Sequence, residues 1–190
     1  VAIDFAAIKI AKQEISRILI VCPLSAMGVW EDEFEYDCPD EYMPTISVAV
    51  GSTNKRAKLI ESVVKAQTAR PQVIVVNYDS LRNDNIQSLL TKWCPDLLIV
   101  DEMHYVKSHT AQRSMRVREI RKKSKFFLGL TGTPIPKNPL DLFGQFLILN
   151  DEVFGGDRAA WKRFKERYAV MKYKFPGKVD RWLNMDEHAR

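Results

Sequence analysis

No stretch of about 18 consecutive apolar residues occurs in these 190 residues, which argues against a membrane-spanning helix. No charged-then-apolar segment opens the chain, so a secretory signal is not expected either. Cysteine is scarce: Cys22, Cys38 and Cys94 are odd in number and far apart, which fits neither a disulfide framework nor the paired spacing of a zinc site. They read as buried or incidental thiols of a reducing, intracellular compartment, cytoplasm or nucleoid in a bacterial or phage protein and nucleus in a eukaryotic one. Internal repeats and low-complexity segments are absent. Glycine precedes lysine once, at Gly177-Lys178, and Val179 follows, so the Gly-Lys-Ser/Thr signature of a phosphate-cradling loop does not occur.

What is present is enough for a sizeable core. At 46% hydrophobic residues, the chain is slightly longer than one typical domain, and one domain with a polar tail is the natural division. The net charge of +5 is unevenly spread. Glu31, Asp32, Glu33, Glu35, Asp37, Asp40 and Glu41 crowd one stretch, and Lys107, Arg113, Arg116, Arg118, Arg121, Lys122, Lys123 and Lys125 another. A polyanion would therefore meet two very different faces. A third basic region, Arg158 to Arg181, interleaves cations with Trp161, Phe164, Tyr168 and Tyr173, a composition that nucleic-acid binding and a solvated helix face with inward aromatics both produce.

Short apolar runs predict strands near 18–22, 46–50, 73–76, 97–101 and 126–130. Helices are predicted near 2–15, 25–36, 53–66, 85–92, 110–121, 139–149 and 157–171, with Ser25, Thr53 and Thr110 as N-caps. Strands alternating with helices at this spacing argue for a parallel α/β sheet with right-handed crossovers. From about Lys172 the pattern is polar and weakly periodic, interrupted by Pro176-Gly177.

Two strand ends carry the chemistry. Leu97 to Val100 reads as a strand buried on both faces, delivering Asp101 and Glu102 at its carboxyl end, where open α/β sheets bind ligands. Adjacent carboxylates suit a Mg²⁺–phosphate group, one holding the hydrated ion and one orienting the attacking water. Phe126 to Leu130 reads as a second buried strand, and Thr131-Gly132-Thr133-Pro134 then turns away from its end, leaving two hydroxyls beside the same crevice.

Asp101-Glu102-Met103-His104 followed by Thr131-Gly132-Thr133-Pro134 resembles motifs II and III of the helicase superfamily two motors. Other segments narrow the resemblance to the Swi/Snf family of double-stranded DNA translocases. Ile18 to Ser25 with Trp30 and Phe34 is similar to that family's motif Ia, Val48 to Ser52 with Arg56 to its next strand and turn, and Val73 to Arg82 to motif Ib. Tyr105 to Ser108 stands where the family has an Ile-Lys-Asn string, and Leu140 to Leu147, Phe154-Gly155 and Phe164 to Tyr168 resemble the segments beyond motif III. The likeness runs from about Ile18 to Tyr168. Met103 departs from it, replacing the small residue usual in the acidic box.

The resemblance implies a three-layer αβα, P-loop NTPase (RecA-like) lobe with a mostly parallel sheet, over residues 1–171, and a polar tail over 172–190 leading toward a second lobe. It implies ATP and Mg²⁺ as cofactors: Asp101 holding Mg²⁺ through water, Glu102 polarising the attacking water, and His104 relaying the nucleotide state to Thr131 and Thr133. Nucleic-acid contacts are expected from Pro23, Ser25, Asn77, Tyr78, Ser80, Lys107 and Ser108, whereas His109 and His188 read as surface residues. Double-stranded DNA, a second RecA-like lobe and a nucleoprotein substrate are the expected partners. Another superfamily-two motor, such as an RNA helicase or restriction translocase, and a non-catalytic DNA-binding or scaffold domain are the alternatives.

The phosphate loop is expected before Val1, with residues 1–15 as the helix after it, so the 190-residue chain alone should hydrolyse little ATP. The strand feeding that loop normally lies between those ending at Asp101 and Thr131. Without it, either these two strands close up or another element fills the gap, because unpaired central backbone groups are costly to bury.

Overall fold

The computed structural model describes residues 1–66, 68–156, 159–175 and 178–184. Arg158, Pro176, Gly177 and His188, singled out from the sequence, lie outside the described residues. Five strands, β1 (Arg17–Cys22), β2 (Thr45–Val48), β3 (Gln72–Asn77), β4 (Leu97–Val100) and β5 (Phe126–Gly129), form one parallel sheet in the order β2-β3-β1-β4-β5. The central strands are apolar through their interiors, Ile18 to Cys22, Val73 to Val76 and Leu97 to Val100, because both faces are covered. Side chains alternate between the two faces. Ile18, Ile20, Val73, Val75, Leu97 and Ile99 pack with Ile3, Ala6 and Ile10 of α1 (Ala2–Ala11) and with Trp30 and Phe34 of α2 (Val29–Asp37). Leu19, Val21, Ile74, Val76, Leu98 and Val100 pack with Ile60 of α3 (Thr53–Lys65), Leu90 of α4 (Asp84–Trp93) and Val117 of α5 (Gln112–Arg121). The result is the parallel α/β sheet that the strand–helix alternation predicts, in the three-layer αβα arrangement that the resemblance implies.

β4 and β5 pair directly, with Val100 opposite Gly129, so the closing-up outcome is the one adopted. At the opposite end of the sheet, the carboxylate of Asp96 accepts the backbone N–H groups of Ser16 and Arg17, both at 2.9 Å, and pairs with the Arg17 guanidinium at 3.2 Å. It thereby joins the starts of β1 and β4. Burial opposes its charge, but these donors outweigh that and hold the Asp96 carboxyl below the usual carboxylate range.

Several boundaries differ from the sequence reading. Helix α1 stops at Ala11, before the left-handed Gln13. The predicted 25–36 helix splits into a short 3₁₀ turn, Leu24–Ala26, and α2, with Gly28 at its N-cap, so Ser25 caps no long helix. Ser52 rather than Thr53 caps α3, its hydroxyl accepting from the Lys55 N–H. At α5 the N-cap is Ala111, and Thr110 makes no cap.

Beyond the sheet, α6 (Asp141–Leu149) and α7 (Ala160–Tyr168) bury Phe143, Leu147 and Phe164 in a satellite aromatic cluster with Phe154 and Trp161. His109 belongs to it, its ring 5.0 Å from that of Phe143 and 4.8 Å from that of Trp161, which corrects the reading of this histidine as an unpartnered surface residue. The neutral ring suits that setting, and burial lowers its pKa. Helix α7 ends at Tyr168, and where a helix to 171 and then a polar tail were expected, β6 (Ala169–Phe175) and β7 (Lys178–Asn184) form an antiparallel hairpin. Among the described residues, no helix is long and apolar enough to cross a membrane.

Candidate functional site: the acidic turn after β4

Residues 101–106 are held from three sides. The Asp101 N–H donates to the Val21 carbonyl at the end of β1, and the Met103 N–H to the Leu130 carbonyl just past β5, both at 2.8 Å. From beside β3, the Tyr78 hydroxyl donates to the Asp101 carbonyl at 2.5 Å and reaches the Glu102 carbonyl at 3.5 Å. Glu102 itself sits in the left-handed region, at φ 50°. For a residue with a Cβ this costs roughly 1–2 kcal/mol, so the surrounding bonds hold the turn against strain.

Asp101 is half-buried. Its carboxylate accepts the Glu102 N–H at 2.8 Å and a hydrogen bond from the Trp30 side chain. Burial nonetheless drives its pKa up, only partly offset by those two donors, and the Glu102 carboxylate adds to the rise. A carboxylate penalised in this way gains from a cation at its free edge. Trp30 was legible in the sequence only as part of a motif; its hold on Asp101 emerges from the packing of α2 on the sheet face that carries Ile18, Leu97 and Ile99.

His104 gathers the remaining polar groups. Its Nδ1 lies 3.0 Å from Glu102 Oε2 and 3.3 Å from the hydroxyl oxygens of both Thr131 and Thr133. The Thr133 N–H also donates to Thr131 Oγ1 at 3.1 Å, which folds the second turn back on itself. A side chain that sequence inspection missed supports that turn: buried Gln145 of α6 donates from Nε2 to the Pro134 carbonyl at 2.7 Å and to that of Asp141 at 3.0 Å. Asp101, Glu102, His104, Thr131 and Thr133 are thus brought to one edge of the sheet.

The residues expected to contact nucleic acid divide. Pro23, Ser25, Asn77 and Tyr78 line a groove of about 510 Å³ together with Leu24, Asp79, Tyr105 and Arg113. Ser80 does not reach it: the residue is 1% exposed, and its N–H and hydroxyl both donate to Asn77 Oδ1. Asn77, 8% exposed, and Ser80 also accept from the Arg56 guanidinium at 3.1 and 2.8 Å, so their side chains serve the turn rather than a surface ligand. Lys107 and Ser108 are not among the groove's lining residues, and Lys107 is paired with Asp141 at 3.1 Å. Of these residues, Ser80 is buried away from the groove, whereas Asn77 lines it with its Oδ1 engaged within the chain and the Lys107 ammonium is paired with Asp141. Arg113, the cation that does line the groove, sits in the first turn of α5, where the sequence offers one arginine among several.

The sequence profile of the SNF2-related domain matches residues 3–178. This chain belongs to the SNF2-related family. It is 33% identical over 151 residues to the TATA-binding protein-associated factor MOT1 of Saccharomyces cerevisiae, covering 80% of the chain and 7% of that protein. To the human DNA annealing helicase and endonuclease ZRANB3 it is 30% identical over 169 residues, covering 87% of the chain and 14% of that protein. The chain therefore spans a small part of the relatives it matches. The Sulfolobus solfataricus SWI2/SNF2 ATPase core in complex with dsDNA superposes with a TM-score of 0.68 at 23% identity, over 88% of this chain and 31% of that one. The αβα lobe is thus the RecA-like fold of the SWI2/SNF2 ATPase core. Within this SNF2-related lobe the acidic turn after β4 and the threonine turn after β5 are neighbours, as β4–β5 pairing requires.

Proposed function

We propose that this SNF2-related lobe is the first motor lobe of an intracellular ATP-dependent translocase acting on double-stranded DNA. The observation that carries the reading is the contact of His104 Nδ1 with Glu102 on one side and with Thr131 and Thr133 on the other. A carboxylate placed to orient water is there in touch with a turn that can report the state of the site.

The donor set fits Mg²⁺. One half-buried carboxylate with a second beside it suits an ion that keeps most of its water, and among the described residues no cage of three or more ligating side chains competes with that role. Asp101 would hold the hydrated ion, which when bound supplies charge neutralisation to the phosphates. Glu102 accepts a proton from the attacking water and fixes its direction, so hydrolysis needs no covalent enzyme intermediate. The Nδ1 position carries at most one proton and so serves one strong partner at a time. As Glu102 engages water, His104 shifts toward the threonine hydroxyls, and the turn after β5 moves with it. A phosphate-cradling loop and a second RecA-like lobe, the latter supplying a transition-state arginine, are contributed by the rest of the protein.

The groove lined by Pro23, Ser25, Tyr105 and Arg113 suits the phosphate backbone of a duplex, with nucleoprotein as the larger substrate. Hydrolysis measured on the protein containing this lobe, with and without duplex DNA, tests the reading. Stimulation by duplex of unrelated sequences is expected, and a rate indifferent to DNA overturns it.

A further inference from the structure

Tyr105 is 42% exposed at the groove and stacks on Tyr78, with ring centroids 5.3 Å apart and planes within 7°. Tyr78 is 4% exposed, and its hydroxyl is spent on the carbonyls of Asp101 and Glu102. The opposite contact of Tyr105 is with the His104 ring, at 5.0 Å and 43°. One exposed aromatic therefore touches both supports of the acidic turn: the tyrosine that holds its backbone, and the histidine that holds the Glu102 carboxylate. We infer that Tyr105 and Tyr78 are positioning residues that transmit occupancy of the groove to Glu102, so that a ligand seated against Tyr105 sets the orientation of the water-activating carboxylate.

Two features favour transmission over simple packing. The stack bridges an open groove and a turn whose Glu102 backbone is in a strained region, and strain of this kind persists only where the surroundings impose it. Second, Tyr105 joins the turn through its backbone, its N–H donating to the Glu102 carbonyl at 2.9 Å, so displacing its ring leaves that hydrogen bond in place. Arg113 and Asp79 line the same groove and give a ligand polar anchors while its body presses on the ring. The coupling rests on the proposed motor function and adds the route by which nucleic acid accelerates hydrolysis.

The test uses the complete protein, duplex DNA of mixed sequence, and three variants: Tyr105→Leu, Tyr105→Phe and Tyr78→Phe. For each, kcat and KM for ATP are measured over a DNA titration, and DNA affinity separately by anisotropy. Tyr105→Leu and Tyr78→Phe are expected to lower DNA-stimulated kcat about tenfold, inside the roughly 5–150-fold range of coupling between sites, with KM for ATP and DNA affinity within about threefold. Tyr105→Phe keeps the stack and is expected to keep the stimulation. Loss that tracks DNA affinity alone, equal loss in Tyr105→Phe and Tyr105→Leu, or full stimulation in Tyr105→Leu each overturns the coupling. Thermal melting identifies a variant that has unfolded, and the exposed Tyr105 pair decides the matter if Tyr78→Phe does not fold. A wild-type protein without DNA stimulation would instead overturn the motor reading itself.

Discussion

The Met103 thioether occupies the space that any side chain at residue 129 would need, so the bulky residue of the acidic box and the glycine closing β5 fit only as a pair. Met103 is 4% exposed and has little room to retreat. Gly129→Ala is therefore expected to cost about 1–3 kcal/mol through overpacking. Met103→Ala alone leaves a cavity and should cost about 2–5 kcal/mol. The double variant should be more stable than the sum of the two costs implies, by about 0.5–3 kcal/mol in a denaturation cycle. Strict additivity would show that the two residues do not share the space.

The next expectation concerns turnover. In the complete protein, Glu102→Gln removes the proton acceptor while leaving Asp101 and the turn, so ATP binding should persist as kcat falls about 10²–10⁴-fold. His104→Ala should instead weaken the dependence of kcat on DNA, since Thr131 and Thr133 lose their contact with Glu102. Steady-state kinetics with ATP-binding measurements distinguish the two. Unchanged kcat in Glu102→Gln would reassign the acidic turn to structure.

The fold was legible where the residues repeat a simple rule. Continuous apolar runs at Leu97 to Val100 and Val73 to Val76 announced strands covered on both faces, and the strand ends then fixed where Asp101 and Thr131 would stand. Side chains whose role depends on tertiary approach were illegible. Gln145 looks like any polar helix residue until α6 brings it under Pro134. Lys107 looks free until Asp141, 34 positions later, arrives beside it. Ser80 sits in a loop string, yet the turn after β3 buries it under Arg56. Local sequence assigns residue types to strand ends, whereas burial and pairing are decided by elements far away in the chain.

Asp96 sets a pH limit. Its carboxyl is held below the ordinary value by the Ser16 and Arg17 donors against the opposing effect of burial. A folded-state pKa below the unfolded one means that the ionised form stabilises the fold. That contribution is full above the ordinary aspartate value of about 3.9 and is lost as pH falls through the lower folded value. Asp96→Asn should destabilise the lobe at pH 7, on the order of 1–3 kcal/mol for groups left partly unsatisfied. It should also flatten the acid limb of the stability curve. Parallel acid limbs for wild type and variant would contradict this role.

Nucleic-acid binding should depend on Arg113 rather than Lys107. Arg113 lines the groove, whereas the Lys107 ammonium is tied to Asp141, whose carboxylate also accepts the Lys137 N–H at 2.9 Å. No recognition helix or zinc finger accompanies the basic residues in the sequence, so contacts are expected with phosphates and affinity should fall steeply with salt. Arg113→Ala is expected to weaken binding about equally for unrelated duplexes and to reduce the slope of log K against log salt by roughly 1. Lys107→Ala is expected to leave that slope unchanged and to lower stability by up to about 1 kcal/mol, the scale of a partly exposed ion pair. Titrations at several salt concentrations with three unrelated duplexes, alongside thermal melts, decide between the two cations. A shallower slope in Lys107→Ala with none in Arg113→Ala would move the nucleic-acid surface away from the groove and onto the turn beside α6.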